Sequence, residues 1–389
     1  MIPYGRQNIN EEDIESVVNV LKSDFLTQGP ITPKFENHIA KYCGVTHALA
    51  VVNATAALHI SCLALEVGPG DIVWTSPISF VASANCAIYC GATIDFVDID
   101  SRTYNMSVEF LEEKLIEAKK IGKLPKVVIP VHLAGQSCDM EKIKTLSNEY
   151  GFKIIEDASH AIGGSYKNEK IGNCKYSDIT VFSFHPVKII TTCEGGVCTT
   201  NDQNIYNKLY KLRSHGIVRN QNELEFKSDG LWYYEQVELG YNFRLNDLQA
   251  ALGINQLKRI DKFVEERNNL ANRYNELLRD KKDLIIPYQD QKTLSSFHLY
   301  VIRVKQNEGQ DRKTLFEKFR NSGIFVNVHY IPIYRHPYYK KMFNEDDFPN
   351  AEKYYSEAIS LPIFPGLSNI QMDEIIKIID TPANFQNIF

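Results

Sequence analysis

The chain has 389 residues, 44% hydrophobic and 23% charged, with a net charge of −5. That balance fits a globular protein with a large domain and a smaller one. It excludes a basic nucleic-acid face, and no stretch reaches the roughly 18 apolar residues of a membrane span. The opening MIPYGRQNINEEDIE is acidic and lacks an apolar signal core, so a cytoplasmic protein without nucleic-acid or membrane partners is expected.

Asn10 is placed to cap a first helix, with Glu11, Glu12 and Asp13 in its first turn and Ile14, Val17, Val18 and Leu21 at helical spacing. A polar loop, SDFLTQGP, follows. Strands and helices then alternate. HALAVV, DIVWTS, TIDFVDI, KVVIPVHL, FKIIEDAS and DITVFSF read as strands; NATAALHISCLAL, SFVASANCAIYC and DMEKIKTLSNEY read as helices. Such alternation predicts an α/β domain with a mainly parallel sheet covered on both faces. Leu245 to about Leu278 contains no proline and reads as a linking helical segment. SFHLYVIRV, KTLFEKFRNSG and IFVNVHYIPIY then read as strand, helix and strand of a small α/β domain. The expected division is 1–245 and 246–389. The eight cysteines form no C-x-x-C pair, and neither H-E-x-x-H nor a Cys/His cluster suggests a metal.

In parallel sheets, ligands sit beyond the carboxyl ends of the strands. Four strand ends carry candidates. After HALAVV, Thr55 and Ala56 lie at a helix start suited to a phosphate, although ordinary capping by Asn53 or Thr55 would also explain the stretch. After DIVWTS comes Phe80, which could stack on a planar ring or fill a core. After FKIIE comes Asp157, a carboxylate suited to function or to capping. After DITVF come Ser183, His185 and Lys188. Lys188 precedes Ile189 and Ile190. If desolvated, its amine would be a competent nucleophile; otherwise its stem would carry it to the surface.

Together these residues supply what pyridoxal 5'-phosphate needs. A helix start takes the phosphate, an aromatic face stacks on the ring, an aspartate holds the ring nitrogen, and a lysine binds the aldehyde. A nicotinamide enzyme would need G-x-G-x-x-G between strand and helix, and no such string occurs.

The motifs NATAALH, EDASHAIG, SFHPVK, TTCEGGV and GYNFRLNDLQAALG resemble the DegT/DnrJ/EryC1/StrS family along nearly the whole chain. The resemblance implies the fold type I of pyridoxal-phosphate-dependent transferases, like aspartate aminotransferase. It implies that Lys188 and Asp157 are catalytic. The cofactor would also meet Thr55, Ala56, Phe80, His160 and Ser183, with Asn242 of GYNFR reaching the phosphate from the neighbouring subunit of a homodimer. Tyr4, Leu26, Thr27, Gln28, Gly29, Asn327, Val328, His329 and Tyr330 would line the sugar-nucleotide site. Arg6, His329 and Arg335 are candidates for the anionic nucleotide. Family members that dehydrate sugars carry histidine at the lysine position, and this chain keeps Lys188. IPYGRQNINEEDI and SDFLTQGP most resemble the branch serving pseudaminic acid biosynthesis. That branch aminates C4 of a UDP-linked 4-keto-6-deoxy-N-acetyl sugar, and L-glutamate leaving as 2-oxoglutarate is the expected donor. Another keto sugar, or a regulatory relative without turnover, are the alternatives.

Overall fold

The computed structural model describes residues 1–306 and 311–381. At its centre lies a seven-stranded sheet. Its spatial order is His47–Val51, Gly196–Thr200, Ile179–Ser183, Lys153–Asp157, Val127–Ile129, Ile72–Thr75 and Thr93–Phe96. Only Gly196–Thr200 runs against its neighbours. Ile179–Ser183 and Gly196–Thr200 are buried along their whole length. Alternate side chains enter two cores. Val181 joins Leu49, Ile155 and Ile129 beneath the helix Ala54–Ala64. Phe182 joins Phe35, Ile190 and Val197 on the other face. This two-sided burial is why the strands read as short apolar runs.

The antiparallel strand was not among the expected elements. It exists because the chain turns back within a few residues of Ser183. Lys188 N–H donates to His185 O at 2.9 Å, closing a turn with Pro186 at its second position. Ile189 and Ile190 then enter the core. Thr192 N–H donates to Phe184 O at 3.0 Å, and Ser183 pairs in register with Gly196. A Cβ on Gly196 would lie 2.6 Å from the backbone carbonyl of Asn53, so this glycine lets the strand approach the start of helix Ala54–Ala64.

The helix Glu11–Leu21 is closed by a capping box between Asn10 and Asp13. Gln256 and Arg259 also bind Asp13, tying this helix to the helices Asp247–Lys258 and Ile260–Leu278. Asp247 accepts from Thr32 N–H at 3.2 Å and Thr32 Oγ1 at 2.6 Å, and so caps the helix Ile31–Cys43 from a distant segment.

Beyond these helices, Tyr300–Val304 lies between Leu284–Ile285 and Ala358–Leu361, all antiparallel. The helices Arg312–Asn321 and Asn369–Asp380 pack there. The strand expected over IFVNVHYIPIY forms only isolated bridges, Ile2 to Ile324 and Asn327 to Ser360. Its partners are the N-terminal arm on one side and a sheet edge on the other, so no continuous ladder develops. Ile2 N–H donates to Gly323 O, and Phe325 N–H to Ile2 O. The chain's first residues are thereby pinned beside the sheet ends. All eight cysteines are free thiols, and only Cys193 is exposed. Among the described residues no helix is long and apolar enough to cross a membrane.

Gly196→Ala should lower stability by about 2 kcal/mol through overpacking against Asn53. Urea unfolding of the purified variant measures this, and a change below about 0.5 kcal/mol would contradict the close approach.

Candidate active site

A cleft of about 470 Å³ opens beyond the carboxyl ends of the central strands. It gathers Thr55, Phe80, Asp157, His160, Ser183 and Lys188 with Tyr4 and Asn327–Tyr330. They arrive from several elements. Thr55 lies in the first turn of helix Ala54–Ala64. Asp157 and Ser183 end adjacent parallel strands. Lys188 leaves the turn after Ser183. Tyr4 comes with the N-terminal arm, its carbonyl accepting from Ile363 N–H at 3.0 Å.

At the helix start, Asn53 Oδ1 accepts the Ala56 N–H at 2.8 Å. Ala56 itself is buried and does not line the cleft. Its amide therefore serves the cap, while the N–H groups of Ala54 and Thr55 have no acceptor among the described residues. These two open amides, with the hydroxyls of Thr55 and Ser183, are donors of the kind that suits an anion at a helix start.

Asp157 is buried, and both of its oxygens are engaged. Oδ2 accepts from Ser83 Oγ at 2.6 Å, and Oδ1 accepts from Ser159 N–H at 3.1 Å. Lys188 is half-buried and has no ion-pair partner among the described residues. Burial pushes its amine down to about 8, and the charge of Asp157 opposes the shift only in part. His160 is buried. Its Nε2 lies 3.0 Å from the Tyr330 hydroxyl, and its Nδ1 has no partner. Burial, then the charge on Lys188, push its pKa well down, so the ring is neutral. His329 is also neutral. Burial and the charge on Lys188 push it down to about 3, and its Nδ1 lies 2.8 Å from Ser360 Oγ. Phe80 is 59% exposed at the cleft mouth, with its ring 6.3 Å from that of Tyr330, leaving an aromatic face uncovered.

Other expected site residues lie elsewhere. Leu26, Thr27 and Gln28 are exposed outside this cleft, and Gly29 packs against Asp247 and Phe25. Gln28 instead lines a second, wider cleft with Lys211, His215, Arg219 and Arg244. Asn242 is exposed and lines neither cleft. Of the three candidates for an anionic nucleotide, Arg335 is paired with Glu352 and Glu345 and so already neutralised. His329 carries no charge. Arg6 is exposed, with no ion pair among the described residues. Sequence reasoning missed Ser79 and Ser83, whose small hydroxyls carry no distinguishing pattern in a helical run.

Residues 7–380 match the model of the DegT/DnrJ/EryC1/StrS aminotransferase family, and the chain belongs to that family. A UDP-4-amino-4,6-dideoxy-N-acetyl-beta-L-altrosamine transaminase of Campylobacter jejuni is 40% identical over 364 residues, covering 93% of this chain and 92% of the relative. Among solved structures, Helicobacter pylori PseC, an aminotransferase involved in pseudaminic acid biosynthesis, is 33% identical with a TM-score of 0.88, covering 97% of this chain and 98% of that one. Spr1654 of Streptococcus pneumoniae, solved in a PLP form, is 29% identical with a TM-score of 0.85, covering 97% of both chains.

The protein is thus an aminotransferase of the type I pyridoxal-phosphate fold, and its cofactor is pyridoxal 5'-phosphate. The cleft fits that group on its own evidence. It offers unengaged amides at a helix start, an uncovered aromatic face, an orphaned buried nitrogen on His160 and an amine without a counter-ion.

The amine reacts only as the free base, and its lowered pKa places half of that form near pH 8. Absorbance of cofactor-stripped protein after addition of pyridoxal phosphate should therefore develop faster as pH rises. Below the midpoint the rate should climb about tenfold per unit, and it should level off above about pH 8. A rate still climbing through pH 10 would contradict the dry environment of Lys188.

Proposed function

We propose that this aminotransferase moves an amino group from L-glutamate to C4 of a UDP-linked 4-keto-6-deoxy-N-acetyl hexose for pseudaminic acid biosynthesis. The specific acceptor proposed is UDP-2-acetamido-2,6-dideoxy-β-L-arabino-hexos-4-ulose. The observation that supports it best is the Campylobacter jejuni transaminase, similar over 93% of the chain.

When bound, pyridoxal phosphate supplies an aldehyde that can carry nitrogen and a ring that acts as an electron sink. The chain's own residues would do the rest. Ala54 and Thr55 amides with the Thr55 and Ser183 hydroxyls would bind the phosphate. Phe80 would stack on the ring. Asp157 would hold the proton on the ring nitrogen, and His160 Nδ1 would meet the ring hydroxyl. Lys188 Nζ would anchor the aldehyde, then take a proton from the donor's α-carbon and return it elsewhere on the same face. A neutral amine is required for that, and burial makes the free base accessible by lowering the pKa of the amine to about 8. Tyr4 and Asn327–Tyr330 would orient the sugar, with His329 and Tyr330 acting as neutral hydrogen-bonding groups.

The site would be completed by a second copy of the chain. The lining carries two carboxylates, Asp157 and Glu194, against one amine, Lys188, so it lacks cations for a phosphorylated cofactor and a nucleotide. The second cleft carries Arg219 and Arg244 together with Glu223 and Glu225, and the same stretch of chain exposes the apolar side chains Phe226, Leu231, Trp232 and Leu239. Those residues suit an interface, and Asn242 would cross it to the phosphate.

Lys188→Ala should abolish both the visible absorption of the loaded protein and amino transfer from glutamate. A coupled assay of UDP-4-keto sugars differing only at C5 should favour the L-arabino isomer, and no turnover of it would refute the assigned acceptor. Mixing Lys188→Ala with Asn242→Asp subunits should restore about a quarter of wild-type activity, because each mixed dimer regains one intact site. No recovery above the separate variants would refute a shared site.

A further inference from the structure

Asp157 reaches its position with help from two serines that no other observation explains. Ser83 Oγ donates to Asp157 Oδ2 at 2.6 Å, and Ser79 Oγ lies 2.7 Å from Ser83 Oγ. The direction of this chain is determined by valence. A carboxylate oxygen only accepts, so the single Ser83 proton points at Asp157. Ser79 must then donate to Ser83. The result is a one-way chain, Ser79 O–H to Ser83 O–H to Asp157, in which each bond polarises the next. Ser83 is fully buried and Ser79 nearly so, and both line the cleft wall.

Neither serine serves the helix beside it. Serines near a helix start ordinarily cap its free N–H groups, and a lost cap costs about 1 kcal/mol. The helix Ala82–Tyr89 begins with no side-chain cap: Val81 stands at its N-cap position, and the Ser79 hydroxyl is bonded to Ser83. Ser83, inside the first turn, reaches across to a strand 74 residues away. Burial alone requires that a serine find a partner; it does not require that two serines in series point at one carboxylate.

We propose that Ser83, backed by Ser79, is a positioning residue for the Asp157 carboxylate. With Ser159 N–H holding the other oxygen, the chain fixes the plane of the carboxylate and leaves its remaining lone pairs facing the cleft. It also fills the space behind Asp157 where water would otherwise compete. The proposal rests on the reading of Asp157 as partner of the cofactor's ring nitrogen.

The test is spectrophotometric pH titration of holoenzyme, alongside steady-state kinetics and thermal melting. Ser83→Ala should move the pH midpoint of the visible band by about half a unit or more and lower kcat about tenfold, with KM for both substrates within about twofold. Ser79→Ala should shift the midpoint in the same direction by less, since it removes only the polarising donor. Melting temperatures alone cannot reproduce that pair of graded shifts. An unmoved midpoint in Ser83→Ala, with or without a lower melting temperature, would overturn the proposal. Should Ser83→Ala not fold, Ser79→Ala decides: a midpoint identical to wild type overturns it. Asp157→Asn separates the two levels. If that variant keeps the wild-type spectrum and turnover, the reading of Asp157 fails and this inference with it. If it loses turnover while the serine variants titrate like wild type, only the serine proposal falls.

Discussion

An amine drawn part-way out of water without an ion-pair partner is the costly feature around which this fold is arranged. Lysine belongs on a solvated surface, and placing its ammonium in a dry cleft disfavours the charge. The chain tolerates that cost because the flanking segments are rigid. Before Lys188 runs a fully buried strand; after it, Ile189 and Ile190 lock into the core. Asp157, on the neighbouring strand, supplies the one full negative charge that tempers the shift. The site is thus a consequence of sheet order: these two strands must be adjacent and parallel for amine and carboxylate to share one cleft.

The antiparallel strand Gly196–Thr200 makes the same point from the other side. By returning at once, it shields the Lys188 strand and brings Gly196 against Asn53. The helix start at Asn53, the proposed phosphate site, is therefore located by a backbone contact that only glycine permits. Asn53 in turn satisfies the third helical amide and leaves the first two open. Capping and ligand binding are not alternatives here. The cap determines which amides remain for the ligand.

What the sequence revealed was local chemistry at strand ends. Thr55, Asp157, Ser183 and Lys188 could be singled out because each follows an apolar strand within a few residues. What it concealed depended on contacts between distant segments. The strand at Gly196 hides behind TTCEGG, which reads only as a turn. The run Ile324–Tyr334 has strand-like composition, yet its pairing partners are Ile2 and Ser360 on different elements, so it never becomes a strand. Asp247 looks like an ordinary first-turn acid, although it caps another helix. Arg335 looks like a free cation until Glu345 and Glu352 are placed beside it. Ala56 sits in the expected motif, but its amide is already spent.

The distribution of charge carries the argument furthest. A cofactor phosphate and a nucleotide diphosphate together bring several negative charges, and desolvating them without compensation is prohibitive. The cleft offers helix-start amides and one amine facing two carboxylates, Asp157 and Glu194, so its own field cannot neutralise both ligands. Neutral His160 and His329 favour orientation over attraction. A site of this kind must either hold its ligands weakly or borrow charge. Arg6 is exposed without an ion pair among the described residues, while the second cleft sets Lys211, Arg219 and Arg244 against Glu223, Glu225 and Glu238 and so carries little net charge of its own. Chemistry at the amine needs a dry, weakly charged wall, whereas nucleotide capture needs a wet, cationic one. Under the proposed shared site, a second chain would bring donors to the mouth of the cleft while the wall around the amine keeps the low-dielectric surroundings its reaction needs.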